Sequence, residues 1–182
     1  MRERVRERNL VTASKTNSAP PVRRPTAADV ELLSAAQSTE LAARDLYNSA
    51  IAAGAGGDHL ASLVALSAHH DAYAQSISSL IGADAPQTRD DELFNSLVAD
   101  FGSDTVGAAL AAHGLENSIV AAHTTLVGEL VGTDGAALMA SIVITEARHC
   151  VALATIAGKS PVADIDLFLV TTAVATTSAP SA

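Results

Sequence analysis

The sequence predicts an all-α protein, folded as an antiparallel four-helix bundle with a long crossover connection between its second and third helices. Three observations favour this class. Hydrophobic residues make up 48% of the 182 residues, yet only 3% are aromatic and none is Trp, which suits close helix packing better than a sheet. Apolar residues recur at helical spacing in long segments. The connections between these segments alternate short, long and short, as expected of a bundle whose middle connection crosses the whole molecule.

Capping residues and glycines set the limits of the predicted helices. Thr26 or Asp29 can cap the first helix, helix A, while Gly82 and Gly158 lie where helices B and D are expected to end, since glycine readily adopts the conformation that closes a helix. Residues 87–101 are more polar and are expected to form a long connection with a short helix of its own. Helices A to D are predicted over residues 28–53, 58–81, 104–131 and 135–157.

Both ends of the chain are expected to lie outside the bundle, which we place at residues 27–160. Residues 1–26 have a basic start and a polar, Pro-containing continuation. Because no apolar segment follows the basic start, they predict a disordered leader rather than a secretory signal. Residues 161–182 form a C-terminal extension, whose apolar stretch around residues 165–174 is expected to lie against the bundle or a second chain.

Charge, cysteine content and apolar runs narrow the functional classes. The 11 Lys and Arg against 20 Asp and Glu give a net charge of -9, which argues against nucleic-acid binding and is compatible with metal cations. The single cysteine, Cys150, excludes an intrachain disulfide and a Cys-rich zinc or iron-sulfur site. The apolar run of the C-terminal extension, about eight residues long, is too short to span a bilayer. We therefore expect a soluble, cytoplasmic protein without a membrane span. The sequence leaves open whether the protein forms a homo-oligomer.

An internal repeat relates the two predicted helix pairs. Shifting the chain by 76 residues aligns helix A with helix C and helix B with helix D. Two positions match in each pair of helices. The matched pairs are Glu40 with Glu116, Tyr47 with His123, His70 with Glu146, and Tyr73 with His149. Two antiparallel hairpins with this shared layout would place central polar positions at one level of the bundle.

At that level helix D contains a Glu-x-x-His pattern, whose side chains are candidate metal ligands. Glu146 and His149 are three residues apart, so both side chains lie on one face of helix D, where a carboxylate and an imidazole can bind one cation. Their neighbours are largely apolar, and a buried carboxylate needs a cation or a hydrogen-bond network. Glu40 and Glu116 supply two more candidate carboxylates.

The segments AQSTELAARDLY, LENSIVAAHTTLVGEL and ITEARHCVALATIAG resemble the ferritin-like superfamily, including the ferritin-like proteins of actinomycetes, from residue 29 to about residue 160. The resemblance implies a ferritin-like bundle with a two-metal carboxylate site that binds iron or manganese. It implies Glu40 as the helix A ligand, Glu116 as the helix C ligand, Glu146 as a bridging carboxylate and His149 as an imidazole ligand. Tyr47 is similar in position to a tyrosine near the family's site.

Helix B departs from the family pattern, which has Glu-x-x-His where this chain has His70-Asp71-Ala72-Tyr73. His70 remains a candidate ligand, whereas Tyr73, Tyr47 and His123 are expected to support the ligands without binding the metal. Two neighbouring dications normally need bridging carboxylates to offset their repulsion. We therefore expect a degenerate site with one tight ion per chain, where Glu116, Glu146 and His149 converge, rather than a full ferroxidase centre.

Two functions remain open from the sequence. One is a metal-binding, oxidoreductase-like protein with ferroxidase-like or peroxide-reducing chemistry. The other is a metal-free bundle that acts as a structural or partner-binding module, its polar groups satisfying one another. Whether the protein is an enzyme is left undecided.

Overall fold

The computed structural model describes residues 20–102 and 104–168, and the regular secondary structure in these ranges is entirely helical. The all-α prediction is thus confirmed, and the long helices begin and end within two residues of the predicted bounds. Short 3-10 turns follow α1 and α2 and lie near the C-terminal end of the described chain. The α-helices are α1 (Ala27–Ala52), α2 (Leu60–Ile81), α3 (Asp91–Phe101), α4 (Thr105–Glu129) and α5 (Thr133–Ile156).

The long helices pack in pairs. Helix α1 packs along α2, and α4 packs along α5, each pair being joined by a short connection. Contacts of α1 with α4 and of α2 with α5 bring the pairs together, and α3 lies against α1 and α4. The longest connection therefore joins α2 to α4 and contains α3.

Two apolar clusters enclose a polar layer in the interior. One cluster includes Leu46, Leu63, Phe101, Leu115 and Leu153. The other includes Leu33, Ile77, Leu126, Met139 and Ile142. Between them along the helices lie buried glutamates and histidines. Because such groups are costly to bury without partners, their position between two apolar clusters needs a specific chemical explanation.

The start of α1 is tied to the α4–α5 turn through Asp29. Thr26 caps the helix, and the Asp29 carboxylate accepts hydrogen bonds from the backbone N–H groups of Thr26, Val131 and Gly132 at 2.8, 2.9 and 2.9 Å. Burial raises the pKa of the Asp29 carboxyl, but these donors outweigh burial and hold its pKa below the usual value. A Cβ at Gly132 would lie 2.7 Å from the Arg24 carbonyl oxygen, so the turn requires glycine there.

The end of the predicted leader runs along the same turn. The carbonyl oxygens of Val22 and Arg23 accept hydrogen bonds from the N–H groups of Thr133 and Asp134 at 3.0 and 2.9 Å. These contacts hold residues 20–26 beside α5. Residues 1–19, for which disorder is predicted, lie outside the described residues.

The described part of the C-terminal extension contains a 3-10 turn, Ile165–Phe168, that contacts α5. The His113 ring donates a hydrogen bond from Nε2 to the Leu167 carbonyl oxygen. Leu167 and Phe168 are half-buried. The rest of the apolar stretch lies outside the described residues, so its docking stays a prediction.

Helix α5 is the one helix in the described part of the chain that is long and apolar enough, by length and composition, to cross a membrane. A single such helix is weak evidence for a span, because the core helix of a soluble protein passes the same test. In this fold α5 packs along α4 and buries Glu146 and His149 towards the interior. Such ionisable residues are rare in membrane spans.

Candidate metal centre

Six ionisable side chains meet in the polar layer, and none is more than 4% exposed. Helices α1 and α2 contribute one residue each, and helices α4 and α5 contribute two each. The residues are Glu40, His70, Glu116, His123, Glu146 and His149. The structure thus brings together every metal ligand that the sequence indicates, and His123 with them.

Three of the residues form what we call the nitrogen-rich triad: His70, Glu116 and His149. Their ligand atoms all lie within 4.8 Å of one another. Glu116 Oε1 lies 3.0 Å from His70 Nε2 and 3.2 Å from His149 Nδ1. Two imidazoles and one carboxylate form a donor set typical of sites for iron and other first-row metals.

The other three form the oxygen-rich triad: Glu40, His123 and Glu146, whose ligand atoms also lie within 4.8 Å of one another. His123 Nδ1 lies 3.2 Å from Glu146 Oε2 and 3.6 Å from Glu40 Oε1. Two carboxylates and one imidazole suit a harder divalent ion such as Mn(II).

His70 lies between the two triads. Its Nδ1 is 2.7 Å from Glu40 Oε2, while its Nε2 faces Glu116. An imidazole therefore stands where the resemblance implies a second bridging carboxylate. The grouping also differs from the expected convergence of Glu116, Glu146 and His149, because Glu146 lies in the oxygen-rich triad beside His123.

Each carboxylate of the layer keeps one oxygen free for a further ligand. Glu40 Oε1, Glu116 Oε2 and Glu146 Oε1 are buried and have no hydrogen-bond partner among the residues that the structure describes. A buried polar oxygen without a partner is destabilising, and more so where the carboxylate is charged. Carboxylate oxygens and imidazole nitrogens are the donors that iron and manganese accept, so the residues present fit a divalent cation.

The glutamates of the layer have opposite pKa shifts. Burial raises the pKa of Glu116, but His70 and His149 outweigh burial and hold it well below the usual value. The pKa of Glu146 is raised to about 8, because burial and the charges of Glu40 and Glu116 outweigh its hydrogen bond with His123. A cation bound beside Glu146 would favour its ionised form.

Two histidines of the layer, His70 and His123, have pKa values shifted towards the charged form. Burial lowers the pKa of His70, but its bonds to Glu116 and Glu40 outweigh burial and raise that pKa well above the usual value. Burial also lowers the pKa of His123, and Glu146 and Glu40 outweigh it, so that this pKa is raised. The layer therefore offsets part of its negative charge with its own imidazoles.

Tyr47 and Tyr73 border the nitrogen-rich triad. Tyr47 is fully buried, donates a 2.6 Å hydrogen bond from Oη to Glu116 Oε1, and packs edge-on against Phe101. The Tyr73 ring stacks at 6.3 Å from the His149 ring. Burial raises the pKa of Tyr73 to about 12, so this phenol stays protonated and is a poor metal ligand at neutral pH. Tyr47 thus contacts Glu116 through its hydroxyl, whereas Tyr73 contacts His149 through its ring.

His69 connects the layer to the surface, a role that the sequence did not reveal. It is exposed, and its Nδ1 lies 2.9 Å from His149 Nε2, with the two rings stacked. This contact leaves His149 Nδ1 facing Glu116. A hydrogen bond on the far nitrogen of an imidazole ligand fixes its tautomer and orientation. The adjacent pair His69-His70 was the only sequence signal available.

Comparison with known proteins identifies the family of this chain. Searches of curated proteins and of solved structures found no significant match. The model of the ferritin-like domain matches residues 28–159, well over half of the chain. That span contains α2 to α5, all of α1 except its first residue, and all six residues of the polar layer. We conclude that this chain belongs to the ferritin-like domain family.

Proposed function

We propose that this protein binds divalent iron or manganese inside a ferritin-like four-helix bundle. The bundle would consist of α1, α2, α4 and α5, with α3 in the long connection between its halves. The six residues of the polar layer would hold the metal, and His70 would first have to lose one of the protons that it now donates to Glu40 and Glu116. The packing of α1 on α2 and of α4 on α5, with contacts across the pairs, supports this architecture.

The main support for metal binding comes from the free carboxylate oxygens. Each of the three glutamates has one buried oxygen that lacks a hydrogen-bond partner among the described residues. Three imidazoles lie beside these glutamates. Leaving such oxygens unpaired costs several kcal/mol in an apolar interior. A dication bound by these residues would remove this cost, because the free oxygens would serve as its ligands.

The surrounding residues would orient the ligands. Tyr47 holds Glu116 through its hydrogen bond, and His69 holds His149 through its contact with Nε2. Neighbours of this kind set the affinity of a metal site by fixing the direction of each donor. Iron or manganese bound here would supply one-electron redox chemistry.

A metal-free structural or partner-binding bundle is the second candidate, and a specific contact favours it. His70 bonds to Glu40 and Glu116 at once, and His123 bonds to Glu146. These pairs satisfy one oxygen of each glutamate. The remaining free oxygens make this candidate the weaker of the two.

Metal content separates the candidates. Protein purified without chelator and loaded anaerobically with Fe(II) or Mn(II) is expected to retain at least one ion per chain after dialysis. Glu116→Gln should lose most of it, because the substitution removes the charge of a ligand. Glu92→Gln, which changes an exposed glutamate on α3, is the matched control and should retain the wild-type metal content.

Reproducible absence of metal from the loaded wild type, measured by elemental analysis, would exclude metal binding and leave the structural module. Equal metal content in Glu116→Gln and Glu92→Gln would show that the ion binds elsewhere.

A further inference from the structure

The seam between α4 and α5 contains an uncharged surface groove of about 250 Å³. Helix α4 is described throughout and has no exposed Asp, Glu, Lys or Arg before Glu129, and Arg148 is the only exposed charged residue between residues 135 and 156. A long uncharged surface on a protein of net charge -9 indicates a surface that another segment or molecule covers. The groove is lined by Thr124, Val127, Ala140, Val143 and Ile144.

Large apolar side chains are exposed along the same seam. Ile144 is 57% exposed, and Val151, two turns further along α5, is 45% exposed. On α4, Leu110 is 37% exposed and precedes His113 by one turn. Because residues two turns apart share a helix face, the apolar surface extends from the groove towards the end of α5.

The chain that follows α5 turns back along this seam. Ile156 at the end of α5 and Thr105 at the start of α4 line a common recess at one end of the helices. Leu167 lies beside His113, whose ring donates a hydrogen bond to its carbonyl oxygen. His113 follows Thr105 by eight residues, so the extension has already run about 12 Å along α4 towards the groove.

A polar network across the seam fixes this contact. Cys150 Sγ donates to Asn117 Oδ1 at 3.4 Å, which leaves Asn117 Nδ2 to donate to His113 Nδ1 at 3.2 Å. His113 therefore carries its proton on Nε2, the nitrogen that faces the Leu167 carbonyl oxygen. Side chains of both helices thus hold the extension at the seam.

We propose that residues 169–175, the segment LVTTAVA, continue along the seam and place Val174 in the groove. The α4 residues of the groove lie 11 and 14 positions beyond His113, which is about 16–21 Å along the helix. An extended chain covers about 3.3–3.6 Å per residue, so about five to seven residues after Leu167 reach the groove. Val174 is the seventh, and the segment, like the groove, has no charged residue.

The occupant is the segment of the same chain, and not a second copy of the protein. Leu167 is already held beside His113, so residues 169–175 meet the groove as a tethered partner. A short tether gives an effective concentration in the millimolar range, which favours the chain's own segment over a separate copy. Docking involves no residue of the polar layer and does not depend on metal.

Nuclear magnetic resonance of the metal-free full chain tests the inference. Nuclear Overhauser effects are expected between the methyl groups of Val174 and those of Val143 and Ile144. The backbone order parameters of residues 169–175 should be about 0.85, as in rigid backbone, and should fall below about 0.6 towards residue 182.

A matched pair of variants tests the groove itself. Thr124 and Thr125 are both exposed, and each donates from Oγ1 to the carbonyl oxygen four residues earlier, but only Thr124 lines the groove. Thr124→Asp would place a charge beside the apolar segment. It should abolish the Overhauser effects and lower the order parameters of residues 169–175 below about 0.6, whereas Thr125→Asp should leave both unchanged.

A mixed sample of isotope-labelled and unlabelled chains identifies the occupant. Overhauser effects between differently labelled chains would show that a second copy fills the groove and would overturn the inference. Order parameters below about 0.6 for residues 169–175 in the wild type, or equal effects of the two variants, would overturn it too. Should a variant not fold by circular dichroism, the wild-type spectra decide: contacts of Val174 within one chain support the inference, and their absence overturns it.

Discussion

Replacing His70 with glutamate and Tyr73 with histidine is expected to make the folding stability of the protein depend strongly on metal. His70 now bonds to Glu40 and Glu116, so a glutamate there would place a third carboxylate beside them. In chelator the free energy of unfolding should fall by about 3–5 kcal/mol, the usual cost of breaking a buried ion pair. Metal at 100 times its dissociation constant should restore about 2.7 kcal/mol.

Urea unfolding with chelator and with Mn(II) measures both effects, and metal analysis should show a rise towards two tightly bound ions. Tyr73→Phe is the control for the phenol, because it keeps the ring stacked on His149, and it should change metal affinity little. A double variant as stable in chelator as the wild type would show that His70 does not pair with the two glutamates.

Asp29→Ala is expected to lower the free energy of unfolding by about 3–5 kcal/mol. The carboxylate accepts three backbone hydrogen bonds that join the start of α1 to the α4–α5 turn, and each hydrogen bond to a charged group contributes about 1.5–3 kcal/mol without full additivity. Asp134→Ala is the control in the same turn. It removes an exposed ion pair with Arg23, which is expected to contribute at most about 1 kcal/mol.

The contribution of Asp29 should also depend on pH. Its pKa is lower in the folded protein than in the unfolded chain, so its stabilisation is fully present above the unfolded value of about 3.9 and is lost as pH falls through the folded value. Urea unfolding from pH 7 to pH 3 should therefore show a loss of stability near the acid end that is smaller in Asp29→Asn. Parallel curves for the two proteins would contradict this role.

The helices could be predicted because their signals are local. The glycines at 82 and 158 follow the ends of α2 and α5, and Thr26 caps α1 with a side-chain hydrogen bond, as the sequence indicates. The tie between Asp29 and the α4–α5 turn could not be predicted. It joins residues about 100 positions apart, and nothing in either segment specifies the other.

The candidate site was predictable only within single helices. Spacing places Glu146 and His149 on one face of α5, and the repeat places Glu40 and Glu116 at one level. Which face of one helix meets which residue of another depends on helix rotation, which local spacing does not determine. The two-turn spacing of His123 after Glu116 therefore suggested a supporting residue, whereas the structure places His123 between two carboxylates.

Anomalous X-ray diffraction from crystals of the full chain, loaded anaerobically with Mn(II), tests the central claim most directly. Data collected on both sides of the manganese absorption edge locate the metal without assumptions about its ligands. We expect an anomalous peak in the polar layer, within bonding distance of Glu40 and Glu146, and the free carboxylate oxygens turned towards it. A loaded crystal without a peak in that layer, in which His70 still bonds to both Glu40 and Glu116, would contradict the account.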